Sequence, residues 1–462
     1  MINEEILREY DIRGVYGKSL STKDLIHIGE SIASLINGYN SKKLIIGHDG
    51  RNSSLEIKNL LINTIINFGI DIIDISLIPT PLCYYATKNL EIPNSIMITG
   101  SHNPQEYNGL KIILNNDPFY GNQIKNLNFI KIQPKSKKGS IKYIDIAGEY
   151  IEEISNKLSI KKNLNIIWDI GNGVVGSIIW RLLKKIPGNH TIINSTVDGE
   201  FPNHHPDPTV LKNNKQISNL IKSKNYDLGV SFDGDGDRFG ILDNKGNYIF
   251  SDIILMMISL FMSKSIDNLT VVADVKCSQL IFDKLKENNI NILMSKTGHS
   301  LIKNKIKETK AHIAGEMSGH MFFNVNYYGF DDALYSSLKF IEYLSHQKLS
   351  LEELNKDYDI YNSSPELKLY CDESIKFKTV NLIVDKIKSQ YRKVNISELD
   401  GIRLNTKDYW FLIRASNTQN CLIFRMECKK NINFKNKLKE VINLLTDFDL
   451  DLSELISFNK TV

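Results

Sequence analysis

Three times along this chain a short apolar run ends in a polar or glycine-containing loop and then gives way to a helix-like stretch. Leu44-Ile45-Ile46-Gly47 leads into His48-Asp49-Gly50-Arg51. Asn165-Ile166-Ile167-Trp168 leads into Asp169-Ile170-Gly171-Asn172-Gly173, and Thr270-Val271-Val272-Ala273 into Asp274-Val275-Lys276-Cys277. Each is followed by a second strand pattern (71–75, 191–194, 291–294) and then a third (95–98, 227–231, 311–314). Strands alternating with helices predict α/β units built on largely parallel sheets. A chain of 462 residues exceeds what one hydrophobic core organises. Three similar α/β domains are therefore expected, over 1–147, 148–249 and 250–361. From residue 362 the pattern changes. Leu367–Tyr370 and Cys421–Cys428 read as antiparallel strands and Phe434–Leu445 as a helix, which predicts a smaller α+β domain over 362–462.

The third strand of each α/β unit runs into that unit's most polar loop: Thr99-Gly-Ser101-His-Asn-Pro104, Asp233-Gly-Asp235-Gly-Asp237-Arg238, and Gly315-Glu-Met-Ser-Gly-His320. Ligands of open α/β sheets gather at the carboxyl ends of strands, so three domains facing one cleft bring these loops together. In the second loop three carboxylates alternate with glycines. Such close like charges repel unless a cation neutralises them, and an oxygen-only donor set suits Mg²⁺ or Mn²⁺. A calcium EF-hand is excluded: its sixth position is Arg238, not Gly, and its twelfth is Asn244, not Glu. Arg414-Ala-Ser416-Asn417-Thr418 gathers one guanidinium, two hydroxyls and an amide, a combination suited to a phosphate dianion. Tyr10-Asp-Ile-Arg13-Gly14, Lys111, Lys276 and His299 sit on or beside loops where ligand contacts are common. Each of these segments, taken alone, is also an ordinary polar turn.

Other classes fall away on composition. A formal net charge of +4 over this length does not make a nucleic-acid binder. The longest apolar run, 253–262, is too short to cross a bilayer. Five cysteines with no C-x-x-C pair argue against a zinc site or disulfide framework, and with a signal-free N-terminus they predict a cytoplasmic protein. The stretch 171–176, Gly-Asn-Gly-Val-Val-Gly, follows a strand, but a lone glycine-rich match of this kind does not by itself predict a dinucleotide site.

Taken jointly, in order and at family-like spacing, these motifs resemble the α-D-phosphohexomutase family, nearest to its bacterial phosphomannomutase/phosphoglucomutase branch. The resemblance implies four domains around a central cleft and an isomerase working through a phosphorylated Ser101. It implies Mg²⁺ held by Asp233, Asp235, Asp237 and Ser101, and sugar contacts from Glu316, Ser318 and His320. Arg414, Ser416, Asn417 and Thr418 would clamp the phosphate that is not being transferred. Arg13, Lys111, Arg238, Lys276, His299 and Tyr10 match further active-site positions, with Arg13, Lys111 or His320 as general acid or base. Implied partners are a small-molecule phosphosugar and a hexose 1,6-bisphosphate activator, acting on a monomer with no nucleic acid and no membrane. The chain departs from the family pattern at Asn420, where proline is usual, and the segment 115–122 matches nothing interpretable. Phosphoglucosamine mutase, which usually carries Gln at the place of Met317, and a non-catalytic phosphosugar-binding paralogue remain as alternatives.

Overall fold

The structure, a computed structural model, describes residues 1–134, 137–372, 374–391, 394–416 and 419–461. The described residues form four sheets. The first contains β1 (Ile12–Val15), β2 (Lys43–His48), β3 (Asp71–Leu77), β4 (Ser95–Ile98), β5 (Tyr107–Leu114), β6 (Asp117–Pro118) and β7 (Ile141–Tyr143), in the order β1-β5-β4-β2-β3-β7 with β6 on β5. The second contains β8 (Asn165–Asp169), β9 (Asn189–Ile193), β10 (Leu228–Phe232), β11 (Phe239–Leu242) and β12 (Tyr248–Ile249), in the order β12-β11-β10-β8-β9. The third contains β13 (Thr270–Asp274), β14 (Asn291–Ser295), β15 (Ile313–Gly315) and β16 (Met321–Phe323), in the order β14-β13-β15-β16.

All three share one plan. The first strand of each unit lies between the second and third and runs parallel to both. These strands are apolar almost without interruption because helices cover both faces of the sheet. The third strand then turns back on an antiparallel partner: β4 on β5, β10 on β11, β15 on β16. The three polar loops are therefore hairpin tips rather than strand-to-helix turns. A hairpin tip fixes the loop at both ends by ladder hydrogen bonds, as in the pairs Phe232↔Phe239 and Gly315↔Met321.

The fourth sheet is antiparallel throughout, with β17 (Tyr361–Ser363), β18 (Leu367–Tyr370), β19 (Asn395–Ser397), β20 (Ile402–Asn405), β21 (Tyr409–Ala415) and β22 (Cys421–Lys429). β18 pairs directly with β22, and the helix Phe434–Leu445 follows, capped by the Asn433 side chain. One hydrophobic cluster runs through the second and third sheets and takes in Ile45, Tyr84, Tyr85 and Met97 from the first. The fourth sheet has a separate core, and a small cluster of Val275, Trp410 and Leu412 beside Met294 joins it to the third. All five cysteines are free. Among the described residues no helix is long and apolar enough to cross a membrane.

Candidate active site

The loop between β4 and β5 holds Ser101 buried and in the left-handed region, at φ 50°. A non-glycine residue stays there only when its surroundings dictate it. Here the dictating group is Arg51, whose guanidinium donates to four carbonyls of this one loop. NH2 reaches Ser101 O and Asn103 O at 2.7 Å each, and NH1 reaches Pro104 O at 2.6 Å and Tyr107 O at 3.0 Å. Asp49 lies 3.3 Å from Arg51 Nε and accepts the Gly100 N–H at 3.2 Å. A Cβ on Gly100 would stand 2.6 Å from the guanidinium carbon, so only glycine lets the loop lie against it. Sequence reading did not single out Arg51. Its one signal was its place at the end of the first strand of a unit, two residues after an aspartate.

Ser101 Oγ donates to Asp233 Oδ2 at 3.1 Å and lies 3.1 Å from His102 Nδ1. The three aspartates of the neighbouring hairpin tip are fully buried, with carboxylate oxygens within 4.8 Å of one another. Asp233 Oδ1 accepts the N–H groups of Gly236 (3.0 Å) and Arg238 (3.1 Å). Asp235 Oδ2 accepts from Thr80 Oγ1 at 2.5 Å and Lys111 Nζ at 2.6 Å, and Lys111 also bonds Asp237 Oδ2. Burial together with Asp235 and Asp237 pushes the Asp233 carboxyl well above the usual range. Burial acts the same way on Asp237, but Lys111 and His320 outweigh it and hold that carboxyl well below. Asp235 Oδ1 and Asp237 Oδ1 are buried with no hydrogen-bond partner. Three hard oxygen donors, two of them bare, beside a serine hydroxyl fit a divalent cation such as Mg²⁺. Gly234 brings the two loops into contact: a Cβ there would sit 2.5 Å from Ser101 O.

The third hairpin tip closes the same wall. His320 Nε2 lies 3.5 Å from Asp237 Oδ1 and accepts from Arg238 Nε at 3.2 Å. Its Nδ1 is 3.1 Å from Glu316 Oε2 and 3.0 Å from Ser318 Oγ, and its ring stacks on His299 with centroids 5.8 Å apart. Glu316 Oε1 accepts the Gly298 N–H at 2.6 Å. Tyr10 Oη donates to Thr297 O at 2.7 Å, and a Cβ on Gly298 would run into the Tyr10 ring. Arg13 reaches the serine loop through Asn103 Oδ1 at 3.0 Å and pairs with Asp11. Asp331, which sequence reading did not name, is buried against Lys303 (2.6 Å) and His299 (3.5 Å).

From the fourth sheet, Arg414 Nε donates to Asp400 Oδ2 at 2.9 Å, and the same oxygen accepts the Thr297 N–H at 3.2 Å. Ser416 is buried, its N–H on Cys421 O at 3.0 Å and its Oγ accepting the Gln419 N–H at 3.1 Å. Lys276 Nζ meets Glu366 Oε1 at 2.7 Å. Asn417 and Thr418 lie outside the described residues. Asn420, in place of the expected proline, gives its carbonyl to the Cys371 N–H at 3.3 Å. A continuous chain of contacts thus runs from Ser101 through Asp233, the trio, His320, Glu316, Gly298, Thr297 and Asp400 to Arg414.

Three α/β units whose hairpin tips join a serine, a buried carboxylate trio and a cationic wall, completed by a fourth domain that adds a guanidinium, define a multidomain enzyme of group-transfer design. Residues 4–128, 148–246 and 250–361 match the models for phosphoglucomutase/phosphomannomutase alpha/beta/alpha domains I, II and III respectively. The phosphomannomutase/phosphoglucomutase of Pseudomonas syringae pv. tomato is 36% identical over 431 residues, covering 93% of this chain and 92% of the relative. The phosphoglucomutase of Neisseria gonorrhoeae is 34% identical, covering 96% and 97%. The crystal structure of a phosphoglucomutase/phosphomannomutase family protein from Burkholderia thailandensis superimposes with a TM-score of 0.87 at 31% identity, covering 100% of this chain and 98% of that one. The chain belongs to the phosphoglucomutase/phosphomannomutase family, and it is an enzyme of the isomerase class.

Proposed function

We propose that the enzyme interconverts hexose 1-phosphate and hexose 6-phosphate, of mannose or glucose, through phosphorylated Ser101 and a bound hexose 1,6-bisphosphate. The single observation that carries this reading is Ser101 Oγ 3.1 Å from Asp233 on a buried wall shared with Lys111, Arg238 and His320. The phosphoryl group leaves Ser101 Oγ for the free sugar hydroxyl, whose proton is taken by Arg13, Lys111 or His320. The intermediate turns over in the cleft and returns its other phosphate to Ser101. Arg238 and Lys111 neutralise charge gathering on the transferring oxygens, and the buried setting strengthens that effect. Asp233, Asp235, Asp237 and Ser101 would hold Mg²⁺, which when bound withdraws charge from the phosphoryl oxygens.

Glu316, Ser318 and His320 read the sugar hydroxyls. Arg414, Ser416, Asn417, Thr418, Lys276, His299 and Tyr10 hold the distal phosphate in either sugar orientation. Domain boundaries after residues 147, 249 and 361 put one loop on each domain. The separate core of the fourth domain supports its rotation to open and close the cleft. A hexose 1,6-bisphosphate serves as activator by loading Ser101. We place the enzyme in the cytoplasm as a monomer, a setting its five free thiols suit. Coupled assays with mannose, glucose and glucosamine 1-phosphates, in Mg²⁺ and a bisphosphate activator, test the reading. Conversion of the first two is expected, and Ser101→Ala lowers turnover about a thousandfold or more while ligand affinity persists. Turnover of none of the three sugars, or an unaffected Ser101→Ala enzyme, overturns it.

A further inference from the structure

The cations assigned above to the distal phosphate are already matched by carboxylates of the protein itself, and the two matches differ in kind. Arg414 is paired with Asp400 at 2.9 Å, and the same Asp400 oxygen also accepts the Thr297 N–H from the third domain at 3.2 Å. That carboxylate is structural: it joins two domains and orients the guanidinium through Nε. Lys276 is paired with Glu366 at 2.7 Å. Among the hydrogen bonds of the described residues, the Glu366 carboxylate has this one partner. Its side chain is 35% exposed, whereas that of Lys276 is 7% exposed. Glu366 belongs to the segment between β17 and β18, on the fourth domain, and Lys276 to the loop after β13, on the third. Burial pushes the Glu366 carboxyl up, but Lys276, and after it Arg425 and Arg414, outweigh it and hold it below the usual carboxylate range. Lys276 and Glu366 therefore meet where the third and fourth domains come together.

We propose that Glu366 is a stand-in anion for the distal phosphate, occupying Lys276 until a phosphosugar displaces it and retaking it as product leaves. The inference rests on the reading of Lys276 as a phosphate contact. A buried ammonium left without a counter-charge is costly, and a resident carboxylate removes that cost in the empty cleft. A phosphate dianion brings more charge and more acceptor oxygens than a carboxylate, so it competes for Lys276 where a neutral sugar or a weaker anion does not. Asp274, 4.0 Å from Lys276 Nζ, stays behind as its lasting partner. Displacement costs binding energy, so Glu366 weakens substrate affinity and hastens release. It is a specificity-determining residue whose removal tightens binding.

Glu366→Gln keeps size and one acceptor oxygen and removes the charge. In the full-length, Ser101-phosphorylated enzyme, KM for glucose 1-phosphate and the inhibition constant for inorganic phosphate are both expected to fall about two- to fivefold, the scale of one partly exposed ion pair. Turnover is expected to fall with them, because release slows. Lys276→Met serves as the reference and is expected to raise both constants. If Glu366→Gln leaves both constants unchanged or raises them while Lys276→Met raises them, the stand-in role is overturned and Lys276 keeps its phosphate. If neither variant moves either constant, Lys276 is no phosphate contact, and both this inference and that assignment are overturned.

Discussion

Replacing Arg51 tests whether the serine loop is held by its backbone carbonyls. The Arg51 side chain is fully buried and meets five acceptors: the carbonyls of Ser101, Asn103, Pro104 and Tyr107, and the Asp49 carboxylate. A guanidinium serves them because its five N–H groups lie in one rigid plane. A lysine ammonium carries three N–H groups on one nitrogen, so Arg51→Lys leaves at least two acceptors bare. At about 1–3 kcal/mol for each unsatisfied buried group, the loop loses about 2–6 kcal/mol, supposing the best lysine placement. Arg51→Met also strands the Asp49 charge, which adds about 3–5 kcal/mol and endangers folding, so lysine is the informative change.

Ser101 has reason to move once released. Its φ of 50° is an arrangement that costs about 1–3 kcal/mol and persists only under constraint. A relaxed loop displaces Oγ from Asp233, and a misplacement of about 1 Å costs about a hundredfold in rate. Because Arg51 touches the serine loop and not the phosphate clamp, kcat is expected to fall about a hundredfold with KM within about twofold of the parent. Steady-state kinetics read this split, intact-protein mass reads phosphate on Ser101, and thermal unfolding checks that the chain still folds. A well-folded Arg51→Lys enzyme with kcat near the parent's, or with KM raised and kcat intact, refutes this account of the loop.

Gly234→Ala places a methyl 2.5 Å from Ser101 O, where backbone must yield. A loss of turnover of about a hundredfold is expected, with little change in the melting temperature, from parallel kinetics and calorimetry. Asp332, which caps the helix Ala333–Ser345 and accepts from Tyr150 Oη at 2.9 Å and Tyr327 Oη at 2.5 Å, has its carboxyl pushed up by burial to about 6 from an ordinary 3.8, although those bonds pull it down. Its folded pKa is raised, so its stabilisation is complete below the unfolded value of 3.8 and is lost as pH rises through about 6. From pH 7 to pH 5 the parent therefore gains about 1.3 kcal/mol relative to Asp332→Asn. Unfolding midpoints of the two proteins across that range should diverge toward acid, and parallel curves would refute the assignment.

What could be read in the sequence was whatever is local. The first, second and third strands of every unit are found within two residues of where the alternation of apolar runs put them, because parallel strands covered on both faces need unbroken apolar runs. The carboxylate trio was legible because its residues sit two apart with glycines between. The hairpin return of the third strand was not, since the apolar run 112–114 reads equally well as either direction of strand. Arg51, Asp331, Glu366 and Asp400 were missed for a different reason. Each is a single charge in an unremarkable stretch, and its partners in the site lie at least 14 positions away.

The same distinction explains how the fourth domain meets the third. At one end the seam is a buried network. Arg403 lies 3.9 Å from the Trp410 ring centroid and donates to Val275 O and Cys277 O at 2.6 and 2.7 Å, Arg425 bonds Lys276 O, and Glu427 accepts from Trp410 Nε1 and Ser278 Oγ at 2.8 and 2.6 Å. Every residue between 275 and 278 is thus bonded to the fourth domain, at the end of the third domain's β13. Toward the clamp the ties are the two carboxylates Asp400 and Glu366, charged groups that water and phosphate can replace. Buried fork-shaped bonds resist separation, whereas partly exposed ion pairs contribute about 0–1 kcal/mol. The seam is therefore firm along the 275–278 backbone and yielding at the Glu366 and Asp400 carboxylates, and motion of the fourth domain has its softest direction where a distal phosphate enters.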